Sequence, residues 1–118
     1  MANNIWVGFQ VSHVGSAIGN TVTEIPMKSC PFVKIKSCYS HLAVAEEPEQ
    51  DSFTLGQIEM FRQNAAKLTE HIGYKPMYHI LNSAGIERFP QYQFDMVRLG
   101  IGIYGISSLP GTHLAPVA

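Results

Sequence analysis

At 118 residues with a hydrophobic fraction of 46%, the chain has room for one domain at the usual ~100–200 residues each, and for no more. A formal net charge of -1 with scattered Lys and Arg leaves no basic surface for nucleic acid or an anionic membrane. No apolar run reaches the ~18 residues of a transmembrane helix, and MANNIWVGFQ lacks the basic-then-apolar order of a secretory leader. The two cysteines, Cys30 and Cys38, lack CxxC spacing and read as reduced thiols of a cytoplasmic protein.

Val11, Val14, Ile18, Val22 and Ile25 recur three or four apart, which permits an amphipathic helix over residues 11–24. Gly15, Gly19 and several β-branched residues weaken it, and Pro26 and Pro31 punctuate its end. Residues 33–39, VKIKSCY, alternate apolar and polar side chains at the period of a strand. That strand runs into Ser40, His41 and Leu42. A histidine there is either a barrel site residue or one satisfied by local hydrogen bonds. Residues 45–52, AEEPEQDS, read as a solvated loop. Glu46, Glu47, Glu49 and Asp51 offer hard-cation ligands only weakly, because no glycine shapes the turn such a site uses.

Leu55, Ile58, Phe61, Ala65, Leu68 and Ile72 share one face and predict a helix over 54–72 that packs into the core. Thr54 suits its N-cap, with Gln57 closing a capping box and Phe53 and Ile58 forming a hydrophobic staple. Gly73 suits the left-handed position past its end. Strands follow at 77–81 and near 94–98. Strand, helix and strand in order predict an α/β fold built on a parallel βαβ unit, buried on both faces. The last two strands run out into small residues, Asn82 to Gly85 and Arg98 to Gly100. Hydroxyl and backbone N–H groups in such loops suit an anion, and barrels of alternating strands and helices hold phosphate after their last strands. Ser83 equally suits a helix N-cap. Residues 107–118, with Gly and two prolines, read as a linker.

The string HILNSAGIERFPQYQFDMVRLGIGIYG resembles the signature of alanine racemase, a pyridoxal-phosphate enzyme, and SHLAVAEEPEQDSFTLGQIEMF resembles the family's preceding segment. The resemblance covers residues 33–106. It is similar in flavour to racemase domains that some bacteria fuse to a cell-wall ligase. It implies part of a (β/α)8 TIM barrel, roughly the second half, with residues 107–118 leading toward a β-rich C-terminal domain. The implied parent is a homodimer that interconverts L- and D-alanine and supplies D-alanine for peptidoglycan.

By the same resemblance, the cofactor-binding residues are His41, His79, Asn82, Ser83, Arg98, Gly100 and Ile101. Ser83, Gly100 and Ile101 would hold the phosphate of pyridoxal 5'-phosphate, with Gly100 letting the backbone come close. Asn82 would orient the cofactor region. Arg98 would face the ring nitrogen, His79 would buttress Arg98, and His41 would link Arg98 to a tyrosine of the partner subunit. A guanidinium stays charged, so it donates to an unprotonated ring nitrogen and leaves the ring a weaker electron sink, favouring reprotonation over transamination.

Racemisation needs a base on each face of the α-carbon. The family's cofactor-bearing lysine lies on the first barrel strand and its tyrosine base in the C-terminal domain. Neither has a matching position here, and Lys34, Lys36, Lys67 and Lys75 fall outside the motif. Residues 1–32 diverge from the family: only Val7, Gly8 and Phe9 keep register, and Trp6 stands where a carboxylate-binding arginine belongs. A fragment inactive by itself is the expectation, with the open edges of an unclosed barrel favouring self-association. The alternatives are a non-catalytic module for pyridoxal phosphate or another phosphate compound, and a related barrel enzyme such as a decarboxylase. Against the decarboxylase stands Arg98, because those enzymes usually set a carboxylate against the ring nitrogen.

Overall fold

Three short parallel strands, β1 (Gly8–Val11), β2 (Ser37–Ser40) and β3 (Met77–His79), form one sheet in the order β1-β2-β3. The computed structural model describes residues 8–11 and 34–117. The helix expected over 11–24 lies outside the described residues except at Val11, which closes β1. A 22-residue helix, α1 (Asp51–Ile72), connects β2 to β3, and a six-residue helix, α2 (Ser83–Arg88), follows β3. The α/β class and the parallel βαβ unit are therefore present.

Helix α1 buries Gln57, Ile58, Phe61, Asn64, Ala65 and Leu68 along one face. Ile58, Phe61, Ala65 and Leu68 pack with Ile35, Cys38, Leu42, Tyr78, Ile80 and Leu81 into one core. Gly73 ends the helix in the left-handed region at φ +80°, its N–H donating to the Thr69 carbonyl at 3.0 Å. The start differs from the sequence expectation. A 3-10 turn, Pro48–Gln50, leads into the helix, so α1 begins at Asp51 and Thr54 lies inside it, fully buried, instead of capping it. No capping box forms, because Gln57 turns to the loop after β2. Phe53 and Leu55 are exposed, so neither the staple nor the first position of the apolar stripe is made. Starting the helix a turn earlier carries both side chains away from the sheet.

The strand expected over 33–39 is β2, shorter and shifted. Residues 34–36 precede it: the Lys36 carbonyl accepts the Met77 N–H of β3 at 2.9 Å, and the Ile35 N–H goes to the Tyr74 hydroxyl at 2.8 Å. The strand expected over 77–81 ends at His79, although Ile80 and Leu81 remain fully buried.

The strand expected near 94–98 does not form. Phe94 takes φ +51° and packs edge-on against Phe61, with ring centroids 5.4 Å apart. The Asp95 carboxylate then captures the Tyr78 N–H at 2.9 Å, a donor that a neighbouring strand would otherwise use. Two backbone contacts keep the segment beside β3: Asp95 N–H to the Tyr78 carbonyl and Arg98 N–H to the Leu81 carbonyl, both 3.0 Å. The aromatic anchor thus replaces a ladder with two isolated hydrogen bonds, and still delivers Arg98 to the end of the sheet.

Residues 107–117 lie against the body. Glu87 of α2 accepts from the Ser107 hydroxyl and the Ser108 N–H, and the Val117 N–H reaches the Ile103 carbonyl at 2.9 Å. Among the described residues no helix is long and apolar enough to cross a membrane.

Candidate cofactor site

The segments that follow β2 and β3, together with residues 98–108, surround a cleft of about 630 Å³. Six of the residues singled out in the sequence line it: His41, Asn82, Ser83, Arg98, Gly100 and Ile101. His79 stands behind Arg98 and is buried. Glu46 also reaches the cleft, but the acidic loop does not gather ligands for a cation. Among the described residues no three of His, Cys, Asp and Glu converge, and Asp51 instead receives Arg88 at 2.8 and 2.9 Å.

Arg98 is held on several sides. One Nη donates to His79 Nδ1 at 2.6 Å, and the other donates to the Ser40 carbonyl at 2.7 Å. Its guanidinium carbon lies 4.8 Å from the centre of the Tyr39 ring. Burial pulls its pKa down, with Tyr39 acting the other way, yet a guanidinium remains charged at any usable pH. Burial, and then the Arg98 charge, lower the His79 pKa, so His79 is a neutral acceptor. Among the described residues the Nε–H of Arg98 makes no hydrogen bond, and Arg98 lines the cleft.

Ser83 organises the other wall. Its hydroxyl oxygen accepts the Gly100 N–H at 3.0 Å and the Gly102 N–H at 3.1 Å. Two backbone donors thus point at one oxygen position, with Ile101 between them in the chain, and a 3-10 turn (Ile101–Tyr104) holds the loop in that shape. Both amides are taken up by that oxygen, and the Ser83 O–H is left to donate toward the cleft; converging N–H groups of this kind also suit an anion. The donor set as a whole fits a phosphate beside a neutral ring acceptor, and so fits the cofactor implied by the resemblance.

The capping residue of α2 is Asn82, not Ser83: the Asn82 Oδ1 accepts the Gly85 N–H at 2.9 Å, and its Nδ2 donates to the Leu42 carbonyl at 3.4 Å. Asn82 therefore ties α2 to the loop after β2 and frees the Ser83 hydroxyl for the cleft. His41 is exposed on the cleft and makes no hydrogen bond with Arg98. Its carbonyl accepts from Gln57 Nε2 at 2.6 Å, and Gln57 Oε1 takes the Ala43 N–H at 3.2 Å. None of Lys34, Lys36, Lys67 and Lys75 lines the cleft.

Three contributors escape a reading of the sequence. Gln57 reads in the sequence as the closing residue of a capping box, yet it holds the His41 backbone. Tyr39 looks like a strand residue, yet it lies against Arg98. Gly102 brings its N–H to the Ser83 oxygen and is more closely surrounded than Gly100: a Cβ there would meet the end of the flexible Leu99 side chain at 2.8 Å and the Ser83 hydroxyl at 3.4 Å, whereas one at Gly100 meets Ser83 only at 3.8 Å. The Gly-Ile-Gly spacing was the available signal.

A family model described as alanine racemase, N-terminal domain, matches residues 8–108. Alanine racemase 1 of Oceanobacillus iheyensis is 37% identical over 86 residues, covering 72% of this chain and 22% of that protein. The chain thus spans about a fifth of the length of the curated relatives it matches. Among solved structures, alanine racemase from Corynebacterium glutamicum superposes with a TM-score of 0.79 at 24% identity, covering 98% of this chain and 34% of that one. Alanine racemase from Bartonella henselae, with covalently bound pyridoxal phosphate, gives a TM-score of 0.73 at 25% identity and covers 95% of this chain and 32% of that one. These neighbours imply a barrel-type fold, and the family match extends over most of the sequence: the chain belongs to the alanine racemase N-terminal domain family.

Proposed function

We propose that this chain is the part of an alanine racemase that binds pyridoxal 5'-phosphate by its phosphate and its ring nitrogen, on roughly the second half of a (β/α)8 barrel. One observation carries the reading. The Gly100 and Gly102 amides converge on one oxygen position at Ser83, in the same cleft as a charged, clamped Arg98. Ser83, Gly100, Ile101 and Gly102 would hold the phosphate. Arg98 would donate to the ring nitrogen, with His79 behind it keeping the guanidinium oriented. Asn82 would set the angle of α2, and His41 would stand at the mouth. The bound cofactor would supply the electron sink that loosens the α-hydrogen of alanine.

The parent enzyme, in this reading, is a cytoplasmic homodimer that interconverts L- and D-alanine and supplies D-alanine for peptidoglycan. Two bases, one on each face of the α-carbon, are required for that exchange. Among the described residues no lysine lines the cleft, and the lysine and tyrosine of the family have no matching position in this sequence. The chain by itself is therefore a binding half-site without racemase activity.

Titration of the purified 118-residue chain with pyridoxal phosphate tests this, followed by absorbance, borohydride trapping and an alanine racemisation assay. Saturable binding that weakens in Arg98→Ala and in Ser83→Ala, without a specific lysine adduct and without racemisation, is the expected result. Absence of saturable binding, or racemisation by the pure chain, would overturn it.

A further inference from the structure

Tyr39 and His79 are partners in the parallel pairing of β2 and β3. Neighbouring positions on one sheet face bring side chains within reach, and here the two rings stack with centroids 5.1 Å apart and planes 11° from parallel. Arg98, arriving from the segment beside β3, lays its guanidinium carbon 4.8 Å from the centre of the same Tyr39 ring. Three residues from three successive chain segments thus meet at one point, and of the three Arg98 lines the cleft. The alternation of side chains along β2 sends Cys38 into the core beneath α1 and Tyr39 to the opposite face, outside the buried core cluster. Filling that core is therefore not what Tyr39 does.

The guanidinium of Arg98 has two strong acceptors, His79 Nδ1 at 2.6 Å and the Ser40 carbonyl at 2.7 Å. A third, longer contact runs from the same Nη that meets His79 Nδ1 to the His79 carbonyl at 3.4 Å. These contacts act at the Nη groups. A cation is also attracted to an aromatic face, and the Tyr39 ring adds a contact to the guanidinium as a whole while supporting the imidazole that provides one of the acceptors.

We propose that Tyr39 is a positioning residue for Arg98: its ring lies against both the His79 imidazole and the Arg98 guanidinium, and so fixes the plane in which Arg98 offers its remaining N–H groups to the cleft. The consequence for ligand binding rests on the reading of Arg98 as the donor to the cofactor's ring nitrogen. The positioning itself does not. The ring carries this role and the hydroxyl does not, so phenylalanine preserves it and an aliphatic side chain abolishes it.

Side-chain NMR of the isotope-labelled 118-residue chain without cofactor is the direct test, with the Arg98 signals assigned by their loss in Arg98→Lys. In the wild type and in Tyr39→Phe, the Arg98 Nη protons are expected as separate, slowly exchanging signals of a restrained guanidinium. In Tyr39→Leu they are expected to broaden and average while the backbone amide spectrum keeps its dispersion. Tyr39→Met, unbranched and closer in length, provides the same test should the leucine variant fail to fold. Unchanged Arg98 signals in whichever aliphatic variant folds, or averaged signals in the wild type or in Tyr39→Phe, would overturn the proposal. In the parallel titration with pyridoxal phosphate, the dissociation constant is expected to rise roughly threefold to tenfold in the aliphatic variant and to stay close to wild type in Tyr39→Phe. A wild-type chain that binds no pyridoxal phosphate would remove the cofactor reading and leave the role of Tyr39 to be decided by the NMR result.

Discussion

His79 Nδ1 accepts a hydrogen bond from the Arg98 guanidinium at 2.6 Å, and this contact settles the protonation state of the imidazole. Arginine has donors only, so Nδ1 carries no proton and the ring is neutral. A second proton would break the hydrogen bond and set a cation against a cation in a buried place. The same contact orients Arg98 for the cleft, so charge state and geometry are coupled at one pair.

Stability should therefore fall on mild acidification. The His79 pKa is below its ordinary value of 6.5, through burial first and the Arg98 charge second. Below 6.5 the unfolded chain takes up the proton that the folded chain refuses, so the contribution of neutral His79 is fully present above 6.5 and is lost as pH falls beneath it. Urea midpoints measured at pH 7.5 and at successively lower pH should decline, and His79→Gln should flatten that decline. Asp95 acts in a separate window. Its pKa is lowered below 3.8 by the Tyr78 N–H and then by Lys75, so its contribution is present above 3.8 and lost as pH falls below it.

Ser83→Ala removes the oxygen on which two amides converge. Gly100 is exposed and can turn to water, but Gly102 is buried. One stranded buried donor costs about 1–2 kcal/mol. A drop of that size in denaturant unfolding, together with weaker pyridoxal-phosphate binding, is the expected outcome. Ser83→Cys and Ser83→Thr should lie between alanine and wild type.

Thr54→Val should stabilise the chain. Thr54 is fully buried, and among the described residues its hydroxyl has no hydrogen-bond partner. Valine keeps the shape and removes the unsatisfied oxygen, so a gain of about 1 kcal/mol is expected. A loss of stability would mean that the hydroxyl has a partner after all.

Cys38 should resist alkylation in the native state. It is a free thiol buried in the core, and burial pushes its pKa up to about 11. The thiolate is the reactive form, so modification with iodoacetamide at pH 8 should follow unfolding, and should accelerate in urea in step with loss of structure.

Much of the framework was legible without coordinates. The three-and-four spacing from Ile58 to Leu68, the left-handed glycine at 73 and the strand–helix–strand order are short-range properties, and each is present. The resemblance in residues 79–106 brought attention to Arg98, Ser83 and Gly100, whose groups the fold does gather around one cleft. The failures share a cause. The helix start moved because Gln57 has a better partner in the backbone of residues 41 and 43 than in a capping box. Residues 94–98 did not pair because Phe94 finds Phe61 and the Asp95 carboxylate takes the Tyr78 N–H. Neither competitor is visible within a few residues of the element it disrupts.

What the sequence determined by itself is what adjacent residues decide: a long amphipathic helix, its glycine stop, parallel strands on either side and a string of residues characteristic of one family. What only the tertiary structure decided is which side chain faces which. It gave the N-cap of α2 to Asn82 and so released the Ser83 hydroxyl, turned the Gly102 N–H onto that hydroxyl's oxygen, and set Tyr39 beside His79 and under Arg98. The reason is physical. Local propensity acts through bonds and neighbours, whereas the partners of a buried donor or charge are chosen by packing across the sheet, between residues up to 58 positions apart.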